Sequence, residues 1–243
     1  MTDRPSRSAP STPSLGAALS ARWPALPWVA PFAVFMLLLA GLPALGVPEP
    51  WQGMLRLGVP ALVLLSLSRA PLASLRVTRP VASTLLGLAV FLLWVLPDQL
   101  VPGWRSHWLF TNPLTGGVPA SDGAAAAVLH DPWLLGLRVA RAAVLVPLVE
   151  ELFWRGWLPR WLVQGEWQRV PMGTFTRAAF VLSALLFASE HGAYWEVGLA
   201  CGVAYNAWLA HTRALGDLVL AHAVTNAALA AFVLATGQVA YWG

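Results

Sequence analysis

The chain has no lysine, a single cysteine and few charges: 15 arginines and 11 acidic residues in 243 positions, or 11% charged. A soluble domain carries about 25% charged residues. Here the hydrophobic fraction is 58% and the mean hydropathy +0.64, so an ordinary soluble domain is excluded and an integral membrane protein is implied. The lone Cys201 excludes an intramolecular disulfide and a cysteine-based metal site. Its apolar surroundings place it in a packed core. The net charge of +4 comes from arginines near the ends of apolar runs. Those arginines read as topology signals and leave no nucleic-acid footprint. The missing lysines reflect composition and carry no function.

Residues 1–26 are rich in Ser and Pro, carry Arg4, Arg7 and Arg22, and read as a disordered cytoplasmic tail. Residues 27–243 read as an all-α transmembrane domain of about seven helices, divided into 27–131, with three helices and a polar loop, and 132–243, with the remaining helices. The first run lacks a convincing cleavage site and is taken as a retained membrane helix. The spans expected are about Trp28 to Val47, Trp51 to Ser68, Val81 to Leu96, Pro132 to Leu162, Thr176 to His191, Trp195 to His211 and Asp217 to Thr236. Pro97 to Asp131, with Asp98, Arg105, His107 and Asp122, is too polar to span and too long for a passive connector. It reads as a lid or substrate platform. Arginine-rich loops at 69–79 and 160–177, together with Arg213, fall on the side of the N-terminus, which the positive-inside rule places in the cytoplasm. Trp28, Trp51, Trp133, Trp195 and Trp242 fall at helix ends and read as interfacial anchors.

The polar residues inside these apolar runs form three motifs. Glu150-Glu151-Leu152-Phe153-Trp154-Arg155 lies in the fourth helix, Phe187-Ala188-Ser189-Glu190-His191 ends the fifth, and His222-Ala223-Val224-Thr225-Asn226 lies in the seventh. Each ionisable residue at bilayer depth costs roughly 2.5–3.5 kcal/mol on insertion scales and so calls for a function. Glu151 and Arg155 are four apart and pair on one face, which leaves Glu150, rotated by about 100°, without a partner on its own helix. His222 and Asn226 likewise share a face. With about 1.5 Å of rise per residue, Glu150 lies ~15 Å from the Arg160 end and His222 ~14 Å beyond Arg213, so their depths are similar. His191 falls nearer the outer side and needs a tilt or kink to join them.

A desolvated carboxylate beside an imidazole is a means of taking a proton from water. A His and an Asn side by side can donate to a developing oxyanion. Together they describe peptide hydrolysis by activated water, with no serine or cysteine nucleophile. Zinc held by Glu150, His191 and His222 is an alternative. The His-Glu-x-x-His helix is missing, however, and Phe187 stands where the reversed pattern needs its first histidine. A non-catalytic scaffold or proton-coupled carrier would use the same residues as a relay. No inverted repeat of broken helices supports the carrier.

From about Ala140 to Trp242 these motifs resemble the CPBP family of intramembrane glutamic endopeptidases, which includes the eukaryotic CAAX prenyl endopeptidase and the bacterial Abi proteins. The pattern is most similar to a bacterial CAAX prenyl protease-related branch found beside exosortase systems, which Val233-Leu234-Ala235-Thr236-Gly237-Gln238 also fits. The resemblance implies that Glu150 and His191 activate the hydrolytic water, that His222 and Asn226 stabilise the oxyanion, and that Glu151 pairs with Arg155 to fix the helix. Glu190 either tunes His191 or faces a loop. The expected setting is a bacterial inner membrane, the expected substrate a membrane-anchored protein or peptide, and no cofactor or metal is called for.

Overall fold

The computed structural model describes residues 15–117 and 128–242. The expected tail over residues 1–14 and the loop residue Asp122 lie outside them. The described residues form helices, short 3-10 turns and loops, with no strand among them. The long helices are α2 (Leu26–Ala44), α3 (Glu49–Leu67), α5 (Pro80–Leu100), α6 (Pro132–Val163), α7 (Arg177–Ser189), α8 (Trp195–Thr212) and α9 (Leu215–Thr236). Short helices α1 (Leu15–Arg22) and α4 (Arg69–Ala73) flank them. Four of these, α2, α5, α6 and α9, are long and apolar enough to cross a membrane. The chain is an all-α helical membrane bundle.

Two segments differ from the expectation. Residues 15–22 are helical and not disordered: Gly16 brings α1 against the Ser66 carbonyl of α3, where an added Cβ would sit 2.8 Å from that oxygen. The third span does not stop at Leu96. It continues through Pro97 to Leu100, because its last turn is tied to its neighbours by Asp98 to Arg105 (3.1 Å) and by Gln99 to Gln238 (2.8 Å) and Tyr241 (3.1 Å).

The pattern of exposure is that of a bundle in lipid. Val81, Leu85, Leu88 and Leu92 form an exposed stripe at helical spacing along α5, and Val181, Leu182, Leu185 and Leu186 do the same on α7. Charge is found inside instead, since Glu151, Arg155 and Asp217 are fully buried. Of the five tryptophans expected at the interface, Trp51 and Trp133 are exposed in first turns, whereas Trp28 and Trp242 are packed within the fold. Trp28 lies over Gly156, where a Cβ would come within 2.7 Å of the ring, with the Arg160 guanidinium 4.8 Å from its centroid. Trp195 is drawn into the loop clasp by donating to the Leu109 carbonyl at 2.9 Å.

The helices pack in pairs, α2 on α3, α5 on α9 and α7 on α8. Gly87 sets the closest crossing, with its missing Cβ leaving room for the Ala221 carbonyl and Val224 of α9. Asp217 locks the other end of the same pair. Its carboxylate accepts from the Thr78 N–H (2.8 Å), the Thr78 hydroxyl (2.6 Å) and the Arg79 N–H (2.9 Å), and so caps α5 from a different helix. The loop after α5 is clasped to α8. Arg105 donates to Asp98, to Glu196 at 2.7 Å and to the Ala193 carbonyl at 2.6 Å, and lies 4.1 Å from the Tyr194 ring centroid. Its described portion contributes Thr115 and Gly117 to the wall of the central cavity.

Replacing Asp217 by Ala strands two backbone donors, which places the expected loss of stability at about 1–3 kcal/mol. A thermal unfolding midpoint in detergent several degrees below that of the parent chain checks this.

Candidate active site

Helix α6 is not a regular α-helix. It contains two π-turns, Arg141–Leu145 and Leu152–Trp157, which bracket the regular segment Val146–Glu151. The cause lies in the sequence. Pro147 and Pro159 have no N–H, and in an α-helix their rings would clash with the carbonyls four residues earlier, Ala143 and Arg155. Widening to i→i+5 bonding removes the clash, as the Val146 N–H donating to Arg141 and the Leu158 N–H donating to Phe153 show. In this register the Ala142 carbonyl faces Pro147, which has no proton to give. The Asn226 side-chain amide from α9 takes that place at 2.8 Å.

Glu150 and Glu151 point different ways, as their spacing predicts. Glu151 is fully buried, and its Oε1 accepts from Arg155 Nη1 at 3.2 Å. The same oxygen also holds His222 Nδ1 at 2.8 Å, a contact the sequence reading did not foresee. Glu151 therefore does more than steady its own helix, because it fixes the ring of a residue on α9. Glu150 makes no hydrogen bond to any described residue and lines the cavity.

His191 reaches the site without a tilt or kink. Helix α7 ends at Ser189, and His191 opens a 3-10 turn over Gly192–Tyr194 that turns its ring inward against Phe187 (4.6 Å between centroids) and Trp94 (5.5 Å). Its Nδ1 lies 2.7 Å from the Phe187 carbonyl. A carbonyl only accepts, so Nδ1 is the donor, and in the neutral ring Nε2 keeps its lone pair. Gly198 of α8 makes room for the ring, since a Cβ there would sit 2.9 Å from His191 Cγ and Nδ1.

Glu150, His191, His222 and Asn226, from two helices and a turn, line one cavity of about 400 Å³. All four residues that the sequence marked as candidates are thus brought together. Glu190 also lines it, with its Oε1 buried and lacking a hydrogen-bond partner among the described residues, so it faces the site and not a loop. Cys201 is buried at the edge of the same cavity, whereas His107, His130 and His211 are exposed and apart from it. Among the described residues no group of three His, Cys, Asp or Glu side chains has the geometry to hold a metal.

Two contributors escaped the sequence reading. Gly198 and Gly202 stand four apart in an apolar helix, the spacing that lets backbones approach, and Gly202 admits Ala184 of α7 as Gly198 admits His191. That spacing was a legible signal.

The fold and the site together define a polytopic membrane protein with its reactive groups inside the bundle. Residues 132–228, which hold all four candidates, match the family model described as type II CAAX prenyl endopeptidase Rce1-like. The similarity is to proteases of the intramembrane CAAX type. The searches of curated proteins and of solved structures returned no match.

Gly198→Ala displaces the His191 ring without removing a functional group. Misplacing a reacting group by about 1 Å costs on the order of 10²-fold in rate. Proteolysis is expected to fall by that order while the unfolding midpoint in detergent holds. Glu151→Ala removes the shared acceptor of Arg155 and His222 and is expected to cost about 3–5 kcal/mol of stability, read from the same unfolding curve.

Proposed function

We propose that the chain is a glutamic-type endopeptidase of a bacterial inner membrane, with its N-terminus in the cytoplasm, that cuts a membrane-anchored protein or peptide. The observation that carries this reading is the convergence of Glu150, His191, His222 and Asn226 on one cavity. Glu150 has a free carboxylate, and His191 offers an unprotonated Nε2. A water held between them gives its proton to Glu150 as its oxygen bonds to the scissile carbonyl carbon. The carbonyl π electrons move to the oxygen, which becomes the oxyanion.

His222 donates to that oxyanion from Nε2 while its Nδ1–H rests on Glu151, so the ring works in its doubly protonated form with Glu151 as counter-ion. Asn226 uses one amide N–H on the Ala142 carbonyl and has a second for the oxyanion. Collapse of the intermediate breaks the C–N bond, and the proton held by Glu150 passes to the leaving amine. Donors set in place before the reaction supply the largest electrostatic gain. The apolar walls, which include Phe35, Met36 and Trp94, suit a hydrophobic peptide segment. Sorting or maturation of an exported protein fits such a site.

The test compares protein termini in cells bearing the native chain and Glu150→Gln at equal membrane abundance. Specific termini present with the native chain and lost in the variant are expected, and strong chelators should leave them unchanged. Identical termini, with the variant rescuing a deletion defect, would establish a scaffold instead.

A further inference from the structure

A second pocket, which shares no lining residue with the central cavity, opens between α6, α7, α8 and the loop over residues 164–176. Its volume is about 30 Å³. Arg155 and Arg160 of α6 both line it, and no carboxylate does. Each guanidinium is held in place with a nitrogen to spare. Arg155 gives Nε to Asn206 at 3.3 Å and Nη1 to Glu151 at 3.2 Å, and its Nη2 is buried with no partner among the described residues. Arg160 gives Nε to the Gly156 carbonyl and rests against the Trp28 and Trp167 rings, 4.8 and 4.6 Å from their centroids. Its Nη2 is likewise buried and unpartnered among the described residues.

The charges around the pocket do not balance. Glu151 is shared between Arg155 and His222 through one oxygen, and Arg160 forms no ion pair among the described residues. Glu166, in the adjoining loop, is committed to Arg169 at 2.8 Å on the surface. Arg213 adds a further cation near the rim, since a Cβ on Gly173 would sit 3.1 Å from its Cγ. A buried ion without a counter-ion is costly, and guanidinium donors bond most strongly to an anion. Room for one water takes roughly 10–15 Å³ measured in this way, so the pocket admits a monatomic anion and excludes a phosphate group. Two waters would fit as well, but they would leave the surplus charge without an opposite.

We infer that this pocket binds one halide-sized monovalent anion, of which chloride is the type, with Arg155 and Arg160 as its donors. Binding here requires no peptidase activity. The anion would stand against the far side of the guanidinium that Glu151 holds, and so add its charge to the polar chain that joins α6 to α7, α8 and α9.

The experiment uses the purified full chain in dodecyl maltoside. Binding of radiolabelled chloride is measured by scintillation proximity, and unfolding midpoints are compared in sodium chloride and sodium gluconate at equal ionic strength, which removes screening as a cause. Saturable single-site binding is expected, displaced by bromide but not by gluconate or phosphate. The midpoint should lie several degrees higher in chloride, because a ligand of the folded state alone stabilises it. Arg160→Gln is expected to lose about tenfold or more in chloride affinity, as befits a charge-assisted bond, and Arg160→Lys to keep part of it.

Thr174→Glu keeps the inference testable should Arg160→Gln fail to fold. Thr174 lines the pocket from the loop, so a glutamate there supplies the negative charge from the chain itself. That variant is expected to bind no chloride and to unfold at the same midpoint in both salts. Absence of saturable binding to the native chain overturns the site. So does undiminished chloride affinity in a folded Arg160→Gln or in Thr174→Glu. Displacement by phosphate as effective as that by bromide also sinks it, because the site would then be open to larger anions.

Discussion

The buried carboxylate of Glu151 is the point on which the bundle depends. One oxygen serves Arg155 on its own helix and His222 on α9, and Arg155 in turn reaches Asn206 of α8 at 3.3 Å. Asn206 donates to Ser183 (2.9 Å) and to the Phe180 carbonyl (3.0 Å) of α7. Four helices are thereby held in one register by a single polar chain. In lipid the helices gain little from burying apolar surface against each other, so packing and polar contacts must fix their arrangement. A buried ion without its partner costs several kcal/mol, which penalises any slip that would separate these groups.

The rest of the site is formed where backbone regularity gives way. Two prolines widen α6 on either side of Glu150 and Glu151, and the carbonyl left without a backbone donor anchors Asn226. Gly87, Gly198 and Gly202 remove side chains at the crossings where α5 meets α9 and where α8 meets α7 and the His191 turn. Small residues and prolines in this chain are therefore positional devices. They let the candidate groups from two helices and a turn meet inside a bundle whose lipid-facing stripes carry only aliphatic side chains.

Polar residues at the cavity end of the molecule are also shared out. Arg105 clasps the loop after α5 to α8, Arg138 holds the C-terminal turn through Trp242, and Arg56 is tied to α2. Each of these arginines satisfies a carbonyl or carboxylate of the protein.

The sequence by itself determined the class of fold, the seven long helices to within a few residues, and the four polar residues that share the cavity. The physical reason is that hydropathy and helical spacing are local: a run of apolar residues needs no tertiary partner to be recognised, and a spacing of four places two side chains on one face wherever the helix lies. Even the Glu151 and Arg155 pair follows from that rule. The tertiary structure alone decided what crosses between helices. That Glu151 holds His222, that His191 is turned inward by a 3-10 turn, that Asn226 fills the gap left by Pro147, and that residues 15–22 dock as a helix on α3 all depend on which faces meet. Spacing along one helix carries no information about the rotation of another, so these contacts had to be seen in the packed bundle.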